Sequence, residues 1–171
     1  AFYLWINDQK VGYSQDSWSP AEFNISKYLK KGKNTLRMQV FRWCDGSYLE
    51  DQDGWRMSGI FRDVFLVQKP KVHLSDYFVT TPLEEHGASW KLQIALSNKE
   101  KKNLQDYQVS FSLIDDDGRE IASEIRNAST QIDFNQQIAN AKLWSNEYPN
   151  LYSLHINLLK KGKIIDKIVA N

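Results

Sequence analysis

Leu36, Met38 and Val40 alternate with Arg37 and Gln39, the period of two that marks a half-buried strand over residues 35–43. Nearer the start, two short apolar and aromatic runs, residues 2–6 and 11–15, flank Asn7-Asp8-Gln9-Lys10 and predict a β-hairpin with Asn-Asp in its turn. Residues 17–20 break that pattern. Residues 25–29 fit one helical turn with Asn24 or Ser26 as its cap, and Lys30-Lys31-Gly32-Lys33-Asn34 then turns the chain. The three lysines there read as a solvated turn rather than a phosphate site. Residues 45–59 have no clean periodicity and form a polar loop, after which residues 61–67 read as a strand.

Gln68-Lys69-Pro70 ends this first pattern, because proline cannot donate into a sheet ladder and fixes its own backbone. The expected division is 1–70 and 71–171. Runs at 72–80, 90–97, 107–114, 120–125, 130–138, 151–159 and 163–169 predict seven short strands, the count and spacing of an immunoglobulin-like sandwich. Asp115-Asp116-Asp117-Gly118 and Lys160-Lys161-Gly162-Lys163 each put a glycine where a hairpin needs positive φ. The aspartate triplet is too short a tip to supply the six to eight staggered oxygens of a calcium loop.

Composition changes this all-β picture little, but it removes several functions. Lys plus Arg is 22 and Asp plus Glu is 21, a net charge of +1 that gives no field for nucleic acid. No apolar run approaches the ~20 residues that span a bilayer, and the expectation is a soluble chain, cytoplasmic or periplasmic. The single Cys44 has no partner for a disulfide or a zinc site. His73, His86 and His155 all lie in the second module, so no Cys-His or Ser-His-Asp set is visible and no catalytic residue is assigned. The chain begins within a strand, Ala1-Phe2-Tyr3-Leu4-Trp5-Ile6, and reads as part of something longer.

The dense functional groups lie between Asp45 and Asp63. Carboxylates, Arg56, Arg62 and large aromatics there offer acceptors for sugar hydroxyls, flat faces for a pyranose ring and oxygens for a cation. Composition alone favours a solvated loop braced by Arg-carboxylate pairs.

Residue order narrows the choice. Asp45-Gly46-Ser47-Tyr48-Leu49-Glu50-Asp51-Gln52-Asp53, followed by Trp55-Arg56-Met57-Ser58-Gly59-Ile60-Phe61-Arg62-Asp63-Val64, closely resembles the sugar-binding domain of glycoside hydrolase family 2 β-galactosidases. Phe2-Tyr3-Leu4-Trp5-Ile6-Asn7, Val11-Gly12-Tyr13-Ser14-Gln15-Asp16-Ser17 and Ser19-Pro20-Ala21-Glu22-Phe23 resemble the same domain's jelly roll. Leu143-Trp144-Ser145-Asn146-Glu147-Tyr148-Pro149-Asn150-Leu151-Tyr152 resembles a segment near the end of the immunoglobulin-like domain that follows. The resemblance implies a partial jelly-roll, galactose-binding-like sandwich followed by an immunoglobulin-like β-sandwich. It also implies a non-catalytic portion of an enzyme that hydrolyses terminal non-reducing β-D-galactose residues, with the catalytic barrel elsewhere.

In that family the aspartate matching Asp53 reaches the galactosyl hydroxyls and helps hold sodium. An anionic hard-oxygen group suits both tasks. Gln15 and Asp45 match two ligands of a peripheral magnesium site whose remaining ligands would precede Ala1, so neither ion is expected to stay on this stretch alone. Arg56, Arg62 and Asp63 read as scaffold that fixes the loop. Glu50 and Asp53 do not make a glycosidase by themselves, because hydrolysis needs two carboxyls about 5–5.5 Å apart in a water-excluding pocket.

Expected partners are β-galactosides and the barrel in the intact enzyme, and further copies of this chain through open sheet edges, at residues 2–15 or 35–43. Two other readings stand beside this one. The chain could be a free-standing carbohydrate-binding module, and residues 71–171 could be a structural spacer.

Overall fold

The computed structural model describes residues 1–16, 19–49, 58–84 and 87–171. The chain divides into two compact units, Ala1–Leu66 and Val67–Asn171.

The first unit holds an antiparallel sheet of β1 (Phe2–Ile6), β2 (Gln9–Ser14) and β3 (Leu36–Val40), in the order β2-β1-β3. The expected hairpin forms, with Asn7 at φ 49° and Asp8 at φ 63°. Two left-handed residues in a row twist the turn to match the strands, which is why short polar residues stand there. Asn7 also ties the turn to its surroundings. Its Nδ2 donates to Tyr28 O at 2.9 Å and to Asn34 Oδ1 at 2.8 Å, and its Oδ1 accepts from Thr35 N at 3.1 Å.

The helical turn is a 3-10 turn, Ser26–Tyr28, and Asn24 Oδ1 accepts the Ser26 amide at 3.0 Å. Asn34 closes the lysine-rich turn by donating from Nδ2 to the carbonyls of Lys30 and Gly32, both at 2.9 Å. That turn is exposed throughout.

Strand alternation gives the first sheet two different faces. Leu4 and Ile6 are buried on one, where Phe2 meets Phe23 edge-on at 6.0 Å between ring centroids. Gly12 lies against Phe23 so closely that a Cβ would fall 2.6 Å from its Cε1. Tyr3, Trp5 and Tyr13 gather on the other face, with Lys10 Nζ 3.8 Å from the Tyr3 centroid and the Arg37 guanidinium 4.5 Å from that of Trp5.

One element departs from the sequence reading. Residues 61–67 form no strand and are exposed. The composition suits a strand, but a strand exists only with a ladder partner, and among the described residues none pairs with this segment.

The second unit is a two-sheet sandwich. One sheet orders β11 (Lys163–Ala170), β10 (Ser153–Lys160), β7 (Tyr107–Ile114) and β8 (Glu120–Asn127) side by side. In the other, β6 (Gly87–Ser97) pairs with β4 (His73–Thr80) and β5 (Leu83–Glu84), and with β9 (Gln131–Ala139). All seven expected strands form, and the two-residue β5 is an addition whose shortness hid it from periodicity.

Alternation fills the space between the sheets. Leu92 and Ile94 from β6, Val109 and Phe111 from β7, Ile132 and Phe134 from β9, and Ile156 and Leu158 from β10 are buried together. Phe111 from one sheet sits 4.8 Å from both Trp90 and Phe134 of the other, tilted against the first and T-shaped to the second. Such offset and edge contacts add about 0.5–1.5 kcal/mol each beyond burial. Across 92 residues of sequence, Asp166 Oδ2 accepts the amide of Leu74 at 2.9 Å, which joins β11 to β4.

Candidate functional site

Gln15 follows β2, and Asp45 opens a 3-10 turn, Asp45–Tyr48. Cys44 and Ser47 fix that turn. The Cys44 amide donates to Ser47 Oγ at 3.0 Å, and the Ser47 amide donates to Cys44 O at 3.0 Å. Gly46 is buried inside the turn.

Tyr13 connects the two candidate ligands. Its hydroxyl donates to Gln15 Oε1 at 2.8 Å. Its pKa is raised, first by loss of solvent around the hydroxyl and then by the negative charges of Cys44 and Asp45, with Tyr3 adding a smaller push. The charge of Asp45 therefore acts on the same hydroxyl that bonds Gln15. Gln15 and Asp45 are both exposed, so water or a cation can reach their oxygens.

These oxygens are hard donors of the type magnesium takes, but a near-octahedral ion needs about six of them. Gln15 and Asp45 would be part of such a shell, with Tyr13 fixing the Gln15 amide.

Asp53 and Arg56 lie outside the described residues. Arg62 and Asp63 are exposed, and among the described residues neither forms an ion pair.

At the β7–β8 tip, Asp115 Oδ1 accepts the amides of Asp117 at 3.0 Å and Arg119 at 2.8 Å, a turn-building role. The carboxylates of Asp115, Asp116 and Asp117 lie within 4.8 Å of one another. A cation already serves this cluster: Lys142 Nζ sits 2.5 Å from Asp116 Oδ1 and 3.2 Å from Asp117 Oδ2. That bond holds the Asp116 carboxyl below its usual range and raises Lys142. The pair fastens the tip to the segment that continues into Trp144, whose backbone bridges to Pro149.

Sequence reasoning passed over one arrangement. Phe78, at 61% exposure, stands on the solvent face of the second unit, directly opposite Gln93. In sequence it sits within Tyr77-Phe78-Val79, an apolar run that conceals which residue faces out.

Among the described residues, no helix is long and apolar enough to cross a membrane. The family model for the glycosyl hydrolases family 2 sugar binding domain matches residues 1–70, and that for glycosyl hydrolases family 2 matches residues 72–171. The chain belongs to glycosyl hydrolase family 2. Its all-β architecture is the family's jelly-roll and immunoglobulin-like pair of folds.

A beta-galactosidase of Pectobacterium atrosepticum is 46% identical over 178 residues, and one of Priestia megaterium is 41% identical over 175. Each alignment covers 97% of this chain and 17% of the relative, so the chain spans about a sixth of their length. Among solved structures, a glycosyl hydrolase family 2 member from Bacteroides cellulosilyticus matches 99% of this chain and 24% of its own, with TM-score 0.83 and 23% identity. An FMN-binding beta-glucuronidase matches 99% and 27%, with TM-score 0.84 and 24% identity.

Proposed function

We propose that this chain is the non-catalytic sugar-binding and sandwich portion of a β-galactosidase that removes terminal non-reducing β-D-galactose from β-galactosides. The observation that carries the reading is the 41–46% identity to two beta-galactosidases along 97% of the chain. The domains divide near Pro70, as 1–70 and 71–171.

In this reading Asp53 contacts the galactosyl hydroxyls and shares in holding sodium. Its carboxylate accepts hydroxyl protons and offers a hard oxygen to the cation, which neutralises charge beside the sugar. Gln15 and Asp45 contribute to a magnesium shell, and Tyr13 orients the Gln15 amide through the 2.8 Å bond. Arg56 is read as bracing the segment around Asp53, a role that the exposed Arg62 and Asp63, with no ion pair among the described residues, do not share. The chain alone does not hydrolyse galactosides, since a retaining mechanism needs a second carboxyl about 5–5.5 Å from the first inside a closed pocket.

The test is turnover of a chromogenic galactoside by this chain and by a longer polypeptide containing it. The reading expects turnover from the longer protein only. Turnover by the chain itself that disappears in Asp53→Asn would contradict it.

A further inference from the structure

The β-sheet of β4, β6 and β9 turns one face to the core and the other to solvent. On the solvent face the register sets side chains in two rows. Phe78, Gln93 and Asp133 lie across from one another, and so do Thr80, Lys91 and Asn135. Together with the backbone beneath, they line a shallow groove of about 390 Å³, within the ~300–1,000 Å³ of ordinary ligand pockets.

The chemistry of this groove is specific. Phe78 offers the only aromatic ring among those six side chains, and it is 61% exposed. Gln93 Nε2 donates to Asp133 Oδ1 at 3.1 Å, which fixes both groups and leaves the Gln93 carbonyl and the second Asp133 oxygen as acceptors. Among the described residues, Lys91, Thr80 and Asn135 have no side-chain partner. They add an ammonium donor, a hydroxyl and an amide around the same ring. One cation and one anion leave the lining neutral, which disfavours phosphate and other anions.

An apolar ring surrounded by fixed acceptors and donors with no net charge complements a pyranose, whose C–H face stacks while its hydroxyls hydrogen-bond. We propose that this groove is a second carbohydrate subsite, binding a pyranose oligosaccharide through Phe78, Lys91, Gln93, Asp133 and Asn135; that the oligosaccharide is a β-galactoside rests on the proposed function. It does not depend on the Asp53 contact. A site with one ring and a few exposed hydrogen bonds binds weakly, on the order of 1 mM. Its use is to hold an extended substrate near the protein.

The experiment titrates lactose into the 171-residue chain and follows backbone amide resonances. The expected result is saturable shifts at Thr80, Lys91, Gln93, Asp133 and Asn135, with affinity about 10-fold weaker in Phe78→Ala. Phe78 is exposed, so core resonances of Leu92 and Phe134 should stay in place, and Asn135→Ala provides a second variant with a similar loss. Shifts that do not saturate, or that persist unchanged in both variants, would overturn the proposal. So would equal shifts with inorganic phosphate. Shifts confined to Gln15 and Asp45 would overturn it too, while leaving the proposed function standing.

Discussion

Tyr13 donates its phenolic proton to Gln15 Oε1 at 2.8 Å, and the same phenol feels the charge of Asp45 from a different element. Gln15 thus bonds this hydroxyl, while Asp45, 30 positions on, acts on it only through its charge. Loss of solvent raises the Tyr13 pKa most and Cys44 next, and a hard cation on Asp45 would offset only that carboxylate's smaller part.

The first prediction follows from that geometry. Loss of solvent, Cys44 and Asp45 raise the Tyr13 pKa above the ordinary value for a tyrosine, so its protonated form is favoured in the folded chain. Any stability tied to it is present below the unfolded value of about 10 and is lost as pH rises through the higher folded value. Asp45→Asn should lower the Tyr13 pKa, measured by phenolate absorbance with Tyr13→Phe as the blank. An unchanged titration would show that Asp45 does not act on this hydroxyl.

Lys142 gives the second prediction. Its hydrogen bond to Asp116 lowers that carboxyl, and a depressed carboxyl contributes stability above its unfolded pKa and loses it as pH falls through the folded one. Lys142→Ala should raise the Asp116 pKa in carboxyl-carbon resonance titrations. It should also speed amide exchange of Ser145 and Asn150, whose amides donate to Tyr148 O at 2.9 and 2.8 Å.

The third concerns the core of the second unit. Phe111→Ala removes the ring that contacts both Trp90 and Phe134 at 4.8 Å. The loss should be about 3–5 kcal/mol, read as a lower midpoint in thermal or denaturant unfolding. A change below ~1 kcal/mol would mean the cavity closes without cost.

Gly87 gives the fourth. Its φ is +141°, and a Cβ would lie 2.3 Å from the carbonyl oxygen of Ile138, a backbone atom that cannot swing aside. Gly87→Ala should destabilise the β6–β9 pairing by roughly 1–3 kcal/mol. The check is thermal unfolding together with loss of amide protection at Ala139.

Much of this was legible in the sequence because it rests on period-two alternation. Leu92, Ile94 and Leu96 face inward along β6, and Lys91 and Gln93 face outward, as the pattern requires. Asn7-Asp8 announced its turn because these residues tolerate left-handed φ. Residues 61–67 show the limit: Val64, Phe65 and Leu66 have strand composition, yet pairing depends on what else the backbone can reach. The Tyr13 link between Gln15 and Asp45 was equally hidden, since only the folded sheet brings 13 and 45 together. The acidic tip reads as a turn from its aspartates and Gly118, but its lysine partner lies 26 residues from Asp116 and no local pattern marks it.

The most direct measurement of the central claim is kcat/KM for galactoside hydrolysis by the longer polypeptide that carries this chain, with Asp53 intact and as Asp53→Asn. If Asp53 contacts the sugar in the transition state, the variant should lose roughly 100-fold or more in kcat/KM with its fold unchanged. An unchanged kcat/KM would contradict the account.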